Sequence, residues 1–336
     1  MYSPIHGDKF ELYEKMENPE IELNNTFVRF IGNYIDLDYS IWLYRVLTPF
    51  FIAFLLPCIF LFLIYFTILC LYIYRTYSQV IYRACNSNEF NFWDIARTFI
   101  ALIWDGHSWL WHGYEVVGLE NLPENGPALI IYYHGAIPID MYYFVARVYL
   151  KRNRLIYTVG DRFLFKMPGW AIIAEAFKVS PGTVQSCSKV LKDGNYLAIS
   201  PGGVYEAQFG DNYYELLWGR RVGFAKVAID AKVPIIPLFT ENIREGFRAV
   251  GFATSVFLKI YKFLKFPIRP IYGGFPVKFR TYVGKPIEFD ENITPEELQT
   301  KTRIAIEQLI AQYQRIPGSI VHAMLDRFRK PHGKDK

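Results

Sequence analysis

The residue best placed for chemistry is His134. It stands in the string Y-Y-H-G-A-I-P-I-D, directly after a short apolar run, and Asp140 follows six residues later. Gly135 and Pro138 keep the intervening loop tight. An imidazole at the end of a buried strand can act as a general base. A carboxylate bonded to its other nitrogen would fix the tautomer and support the cation that forms. The proton would come from a substrate hydroxyl. A His–Asp pair at this spacing is also an ordinary way to hydrogen-bond a turn, so the pair alone does not decide function.

Three further stretches join it. V-G-D-R-F-L-F-K-M-P-G-W, residues 159–170, sets Arg162 and Lys166 after a second strand. I-S-P-G-G-V-Y-E-A, residues 199–207, ends a third strand in a Gly-rich turn with Glu206. Backbone N–H groups in such a turn can cradle anionic oxygens. V-P-I-I-P-L-F, residues 233–239, would line a pocket. For the cations, and for Lys166 most of all, solvated surface charge is the plain alternative. For Glu206 it is a charge that complements a helix N-terminus.

Other chemistries fit less well. Ser200 in A-I-S-P-G is followed by Pro201, which has no N–H to offer an oxyanion, so it is not an elbow nucleophile. His107 and His112 are five apart and do not share a helix face. No G-x-x-x-x-G-K-[ST] phosphate loop and no metal-ligand spacing occurs. Cys58, Cys70, Cys85 and Cys187 show no C-x-x-C pattern and suit a reducing, cytosol-facing environment.

In this order the blocks resemble the glycerolipid acyltransferase superfamily: His-loop-Asp, an Arg-bearing block, a Gly-Glu block, then a Pro-rich apolar strand. The resemblance covers roughly residues 114–290. It is closest to the diacylglycerol and monoacylglycerol acyltransferase branch, on Pro201, Gly202, Gly203 and Glu206 and on the stretches R-R-V-G-F-A-K-V-A, P-L-F-T-E-N and Y-G-G-F-P-V-K-F-R-T-Y-V-G-K-P-I. The resemblance implies direct acyl transfer at an endoplasmic-reticulum membrane, from acyl-CoA to diacylglycerol or monoacylglycerol, giving triacylglycerol. It assigns His134 and Asp140 as the catalytic pair, and Gly202 and Gly203 as oxyanion donors. Arg162, Lys166 and Arg221 become candidates for the CoA phosphates, and Glu206 for orienting the acceptor. Acyl-CoA is a co-substrate, and no metal or other cofactor is implied.

Two departures bear on this. Five residues separate His134 from Asp140, where the superfamily usually has four. Ala207 and Gln208 follow Glu206 where an Arg for phosphate is common, which favours a neutral glyceride acceptor. The alternatives are a lysophospholipid or glycerol-phosphate acyltransferase, a transferase with a phospholipid acyl donor, and a non-catalytic membrane scaffold on the same fold.

The elements that must position these groups alternate from residue 114 onward, which predicts an α/β fold with a mixed sheet flanked by helices. Expected strands are 114–117, 128–133, 154–160, 196–200 and 233–239, the last near an edge because of its prolines, with a late strand in 278–289. Expected helices cover 139–150, most of 161–177, 183–192 and 219–232. Thr294, Pro295, Glu296 and Glu297 start a final helix that reaches about Gln314.

Ahead of this fold, residues 46–74 carry no charge in 29 positions, and about 20 suffice to cross a bilayer core. A transmembrane helix, or a hairpin broken near Pro57, is expected. Residues 1–45 carry a charge of −4 and the remainder +9, so the basic catalytic portion suits an anionic membrane surface or substrate, on the cytosolic side. No nucleic-acid module is recognisable. The expected order is an acidic segment (1–45), a membrane segment (46–74), an interfacial linker or helix containing Trp104, Trp109 and Trp111 (75–113), an acyltransferase domain (114–325) and a basic tail (326–336). Within the domain, Ala253–Arg269 mixes aromatic and basic residues. It reads as a surface helix on anionic lipid or over an acyl channel, or as an ordinary packed amphipathic helix. Oligomeric state is left open by the sequence.

Overall fold

In a computed structural model, residues 39–85, 93–264 and 266–328 are described. Most of the acidic segment and of the basic tail lies outside these residues. The chain forms two compact units, Met1–Ile52 and Ala53–Lys336, and the sheet and every candidate site residue belong to the second.

Helix α1 (Tyr39–Cys85) contains a stretch, Leu43–Ser78, that is long and apolar enough to cross a membrane, with a mean hydropathy of 2.7. It runs through Pro57 unbroken, so the hairpin alternative does not hold. Within the second unit only a narrow stripe of α1 is enclosed. Ile64, Thr67 and Leu71 are buried at steps of three and four, while Phe62, Tyr65, Phe66, Leu69 and Tyr72 face outward. A helix apolar all round, with most of it exposed, is what a lipid-facing element requires. Helix α2 (Asp94–His112) packs along the stripe. Trp104 donates its indole N–H to the Thr67 hydroxyl at 3.1 Å, and Phe60 sits edge-on to Trp104 at 6.1 Å. The other face of α2 exposes Ile95, Phe99, Leu102, Trp109 and Leu110, as an interfacial helix does.

The domain then alternates β1 (Glu115–Val117), β2 (Ala128–Tyr132), α3 (Ile139–Arg152), β3 (Ile156–Val159), α4 (Trp170–Phe177), β4 (Val179–Ser180), α5 (Val184–Lys192), β5 (Tyr196–Ile199), α6 (Gly203–Phe209), α7 (Gly223–Ala231) and β6 (Ile235–Glu241). A short helix α8 (Ile243–Gly246), β7 (Phe247–Ala249), α9 (Thr254–Leu264), β8 (Ile271–Gly273), β9 (Arg280–Val283), α10 (Pro295–Tyr313) and α11 (Ile320–Leu325) complete it. Among the described residues seven strands form a mixed sheet in the order β1-β9-β6-β2-β5-β3-β4; β7 and β8 pair separately. β6, β2, β5, β3 and β4 run parallel, and β9 returns antiparallel to β6.

Every residue of β2 is buried, and alternate side chains enter opposite cores: Leu129 and Ile131 one, Ala128, Ile130 and Tyr132 the other. That is the pattern of a parallel strand covered on both faces. β6 lies inside the sheet, between β2 and β9, and not near an edge as its prolines suggested. The register explains why. Ile235 exchanges hydrogen bonds with Ile287, and the Pro237 carbonyl accepts from Gly284 N–H, so odd-numbered residues of β6 face that side. β9 pairs with β6 only from Val283 back toward Arg280. The missing N–H of Pro237 therefore falls in a gap in the ladder.

α10 begins with a reciprocal capping box between Thr294 and Glu297 and buries Leu298, Ile306 and Ile310. Truncating Ile130, which is fully buried in the central strand, should cost about 2–5 kcal/mol. Ile304→Ala on the exposed face of α10 should stay within about 0.5 kcal/mol. Denaturant unfolding of the full chain in detergent checks the contrast; similar losses at both positions would contradict this core assignment.

Candidate active site

Three adjacent parallel strands, β2, β5 and β3, end on one side of the sheet. His134 follows β2, the Ser200–Gly203 turn follows β5, and Gly160–Asp161–Arg162 follows β3. Loops at the carboxyl ends of such strands are where α/β sheets bind ligands. Here they meet at a cavity of about 1120 Å³. His134, Arg162, Lys166, Ser200 and Gly203 line it, and Phe60 and Ile64 of α1 form part of its wall. Sequence blocks 70 residues apart are thus brought together by strand order.

The His134 ring takes its orientation from its own loop. Nδ1 lies 2.7 Å from the Gly135 carbonyl oxygen, which can only accept, so Nδ1 carries the proton. Nε2 is left with its lone pair, on a residue that lines the cavity. Burial and the Arg244 charge lower its pKa to about 4, against the opposing effects of the Gly135 bond and Asp161. The imidazole is therefore neutral at neutral pH, the form a base needs.

The expected contact between His134 and Asp140 is not made. Asp140 sits in the first turn of α3, 2% exposed, and turns to the Thr240 hydroxyl and to backbone amides of its own turn. Thr240 in turn bonds Thr281 at 2.8 Å, and Tyr114 donates to Thr281 at 2.8 Å. One extra residue between His and Asp rotates the carboxylate by about 100° around the helix. That is enough to carry it from the ring toward β6. Its Oδ1 has no hydrogen-bond partner among the described residues, and burial pushes the carboxyl up to about 7.

Glu206 is likewise not a cavity group. It is fully buried in the first turn of α6, behind the wall. Oε2 accepts the His134 backbone N–H at 3.0 Å, and Oε1 accepts Leu217 N–H at 2.9 Å. Burial raises its pKa to about 7 although both N–H groups, Arg244 and Arg221 oppose that. Gly202 is needed for this packing, since a Cβ there would collide with the Glu206 side chain. Gly203 has a left-handed φ of 50° and directs its N–H to Ser200 Oγ at 3.3 Å. As an oxyanion donor that amide is already engaged. Arg221 donates to the carbonyls of Pro201 and Gly202, at 2.7 and 2.8 Å, and braces the turn instead of reaching into the cavity. Arg162 and Lys166 are exposed and do line it.

The residue that holds these parts together is Arg244, which the sequence reading missed. It is 1% exposed on α8. Its Nη2 donates to the carbonyls of His134 at 3.0 Å and of Glu206 at 2.5 Å. Nη1 reaches Ala207 and Gly210, and Nε reaches the Tyr133 hydroxyl at 2.7 Å. Glu206 and Arg244 thus hold the two ends of the His134 residue, N–H and C=O. The only signal was an Arg just past a strand that starts as an apolar run, and nothing local marks such an Arg as buried.

Arg244→Lys keeps the charge but loses the fork. With hydrogen bonds to charged groups at about 1.5–3 kcal/mol each, it should lower stability by several kcal/mol and abolish activity, read by thermal unfolding and turnover. Asp140→Asn should behave oppositely with pH. The Asp140 pKa is raised above its ordinary value, so the native state is penalised as pH rises from about 4 to about 7, and the penalty persists above. The variant should therefore be stabilised relative to wild type more at pH 8 than at pH 4. At about 1.4 kcal/mol per tenfold change in proton affinity, the difference is a few kcal/mol. A pH-independent difference in thermal midpoint would contradict the assignment.

The family described as Acyltransferase matches residues 113–241. A Homo sapiens protein, "DGAT1/2-independent enzyme synthesizing storage lipids", is 50% identical over 292 residues, spanning 87% of this chain and 88% of its own. The Gallus gallus protein of the same name is 47% identical over 303 residues, spanning 89% of each chain. Among solved structures, the 1-acyl-sn-glycerophosphate (LPA) acyltransferase PlsC from Thermotoga maritima is 14% identical, with a TM-score of 0.47, covering 73% of this chain and 95% of that one. With half its residues shared across most of both chains, and with the matched segment running from β1 to the end of β6, this chain belongs to the glycerolipid acyltransferase superfamily and is an acyltransferase.

Proposed function

We propose that the enzyme transfers a fatty acyl group from acyl-CoA to the free hydroxyl of diacylglycerol, or of monoacylglycerol, so that triacylglycerol forms at the endoplasmic reticulum membrane with the catalytic domain on the cytosolic side. One observation carries this reading: a neutral His134 with Nε2 free opens on a large, mainly apolar cavity, part of whose wall is the helix that is long enough to span a bilayer. A greasy alcohol fits such a cavity. The relatives named as enzymes synthesizing storage lipids support the neutral product. So does Arg269, the buried cation in the lining, whose side chain is bonded to Val250, Gln208 and Thr254 and is not free for an acceptor phosphate.

In the reaction, Nε2 takes the hydroxyl proton as the oxygen attacks the thioester carbonyl. The new C–O bond forms and a tetrahedral oxyanion develops. Ser200, whose Oγ accepts the Gly203 amide and which lines the cavity, donates to that oxyanion. The C–S bond then breaks, and the imidazolium returns its proton to the departing CoA thiolate. Proton, acyl group and thiol balance without any metal or further cofactor. Arg162 and Lys166, exposed at the cavity, meet the CoA phosphates. Asp140, turned to Thr240 from the first turn of α3, is not part of the cavity lining and takes no proton in this scheme.

The same two cations would also serve a phosphorylated acceptor or a phospholipid donor, which keeps lysophospholipid acyl transfer as the second reading. Purified enzyme given labelled acyl-CoA with either diacylglycerol or lysophosphatidate separates them. Labelled triacylglycerol is expected from wild type, with a loss of at least 10²-fold in His134→Ala, in line with general-base catalysis of about 10²–10⁴. An exclusively phospholipid product, or full activity in His134→Ala, would overturn the proposal.

A further inference from the structure

Helix α9 is built unlike the other helices around the cavity. None of its residues is buried. Its inner row, Phe257, Leu258, Ile260 and Tyr261, is half-buried. Tyr261 meets Phe209 and Tyr205 of α6, with ring centroids 5.6 and 6.2 Å away. Tyr261 and Leu264 line the cavity, as do Phe266 and Pro267 just beyond the helix. α9 therefore covers the cavity without entering the core. Its outer face carries Val256, Lys259 and Phe263 at steps of three and four, and Phe252 stands bare just ahead of the helix. Phe252 is 71% and Phe263 87% exposed. A row of bare phenylalanines at the entrance to a lipid-sized cavity marks an interaction surface.

We infer that this outer face of α9 docks on an anionic bilayer and sets the mouth of the His134 cavity against the membrane. Charge names the occupant. Lys259 and Lys262 are exposed beside the aromatic row, and residues 251–269 contain no acidic side chain. Aromatic and basic residues interleaved on one helix face are what the headgroup boundary of an anionic leaflet binds. Continuity with the membrane helix gives the second argument. The chain returns from α9 into β8, where Tyr272 packs on Phe54 of α1 with ring centroids 6.3 Å apart, and Gly274 backs against Leu56. Both α1 residues belong to the stretch that can cross the bilayer. Arg269 fixes the base of the cover. It bonds the Val250 carbonyl at 2.6 Å, Thr254 Oγ1 at 2.9 Å and the Gln208 carbonyl at 2.6 Å, tying both ends of the α9 segment to α6.

The test uses the full chain in nanodiscs of phosphatidylcholine, with and without phosphatidylserine. Phe263→Trp is compared with wild type for emission wavelength and for quenching by brominated acyl chains. The added tryptophan is expected to emit at shorter wavelength than in water and to be quenched, several-fold more with phosphatidylserine present. Adding Lys259→Glu and Lys262→Glu should remove that difference. It should also slow acylation of disc-borne acceptor several-fold, with little effect on a short-chain acceptor in detergent. Water-like, unquenched emission overturns the inference, as does quenching indifferent to both anionic lipid and charge reversal. The quenching signal needs no turnover, so it is independent of whether the proposed reaction is right.

Discussion

The site depends on how a single residue is gripped. His134 is held less through its ring than through its backbone: the buried Glu206 takes its N–H and the buried Arg244 takes its carbonyl. Both partners sit where water cannot compete, so each bond acts in a low-dielectric surrounding and fixes position strongly. Arg244 also closes the carbonyls at the end of α6, including those of Ala207 and Gly210, and so fixes the helix that carries Glu206. The loop after β2 and the helix α6 are joined by this one guanidinium, while Arg221 braces the turn after β5. With the backbone fixed, the ring needs only the Gly135 carbonyl to choose its tautomer.

The same burial sets the protonation states. Removing charge from water costs free energy, which lowers the affinity of an imidazole for its proton and raises that of a carboxyl. His134 is pushed down while Asp140 and Glu206 are pushed up, so their proton affinities are reversed from those in water. The ring is thereby neutral at neutral pH, but the same burial makes it a weaker proton acceptor than an imidazole poised near 7. Residues of α1 and α2 supply part of the apolar wall of the same cavity.

Much of this was legible in the sequence, and the limit has a physical form. Strand and helix periods are local, so β2, β5 and the capped α10 could be read directly, as could the uncharged run of α1. Motifs at strand ends were legible too, since parallel strands deliver their C-terminal loops to one side. Long-range pairing was not. Nothing in E-N-I-R-E says that Arg244 reaches back to His134, 110 residues earlier. The inward turn of Arg221 depends equally on a partner that local sequence cannot show. Asp140 failed differently: the pair was visible, but the rotation introduced by one extra residue decides where the carboxylate points. Pro237 misled because the composition of β6 suggested an edge, while the gap in β9 pairing that accommodates it is a matter of register.

The central claim is that His134 is a half-buried, backbone-positioned, neutral imidazole and not the cationic half of a His–carboxylate pair. Nitrogen-15 NMR of histidine-labelled full chain in nanodiscs, with the resonance assigned by its loss in His134→Ala, measures this directly. The account predicts a neutral ring protonated at Nδ1 that titrates well below the ordinary 6.5, near pH 4. A ring that titrates at or above 6.5, as one paired with a carboxylate would, contradicts it.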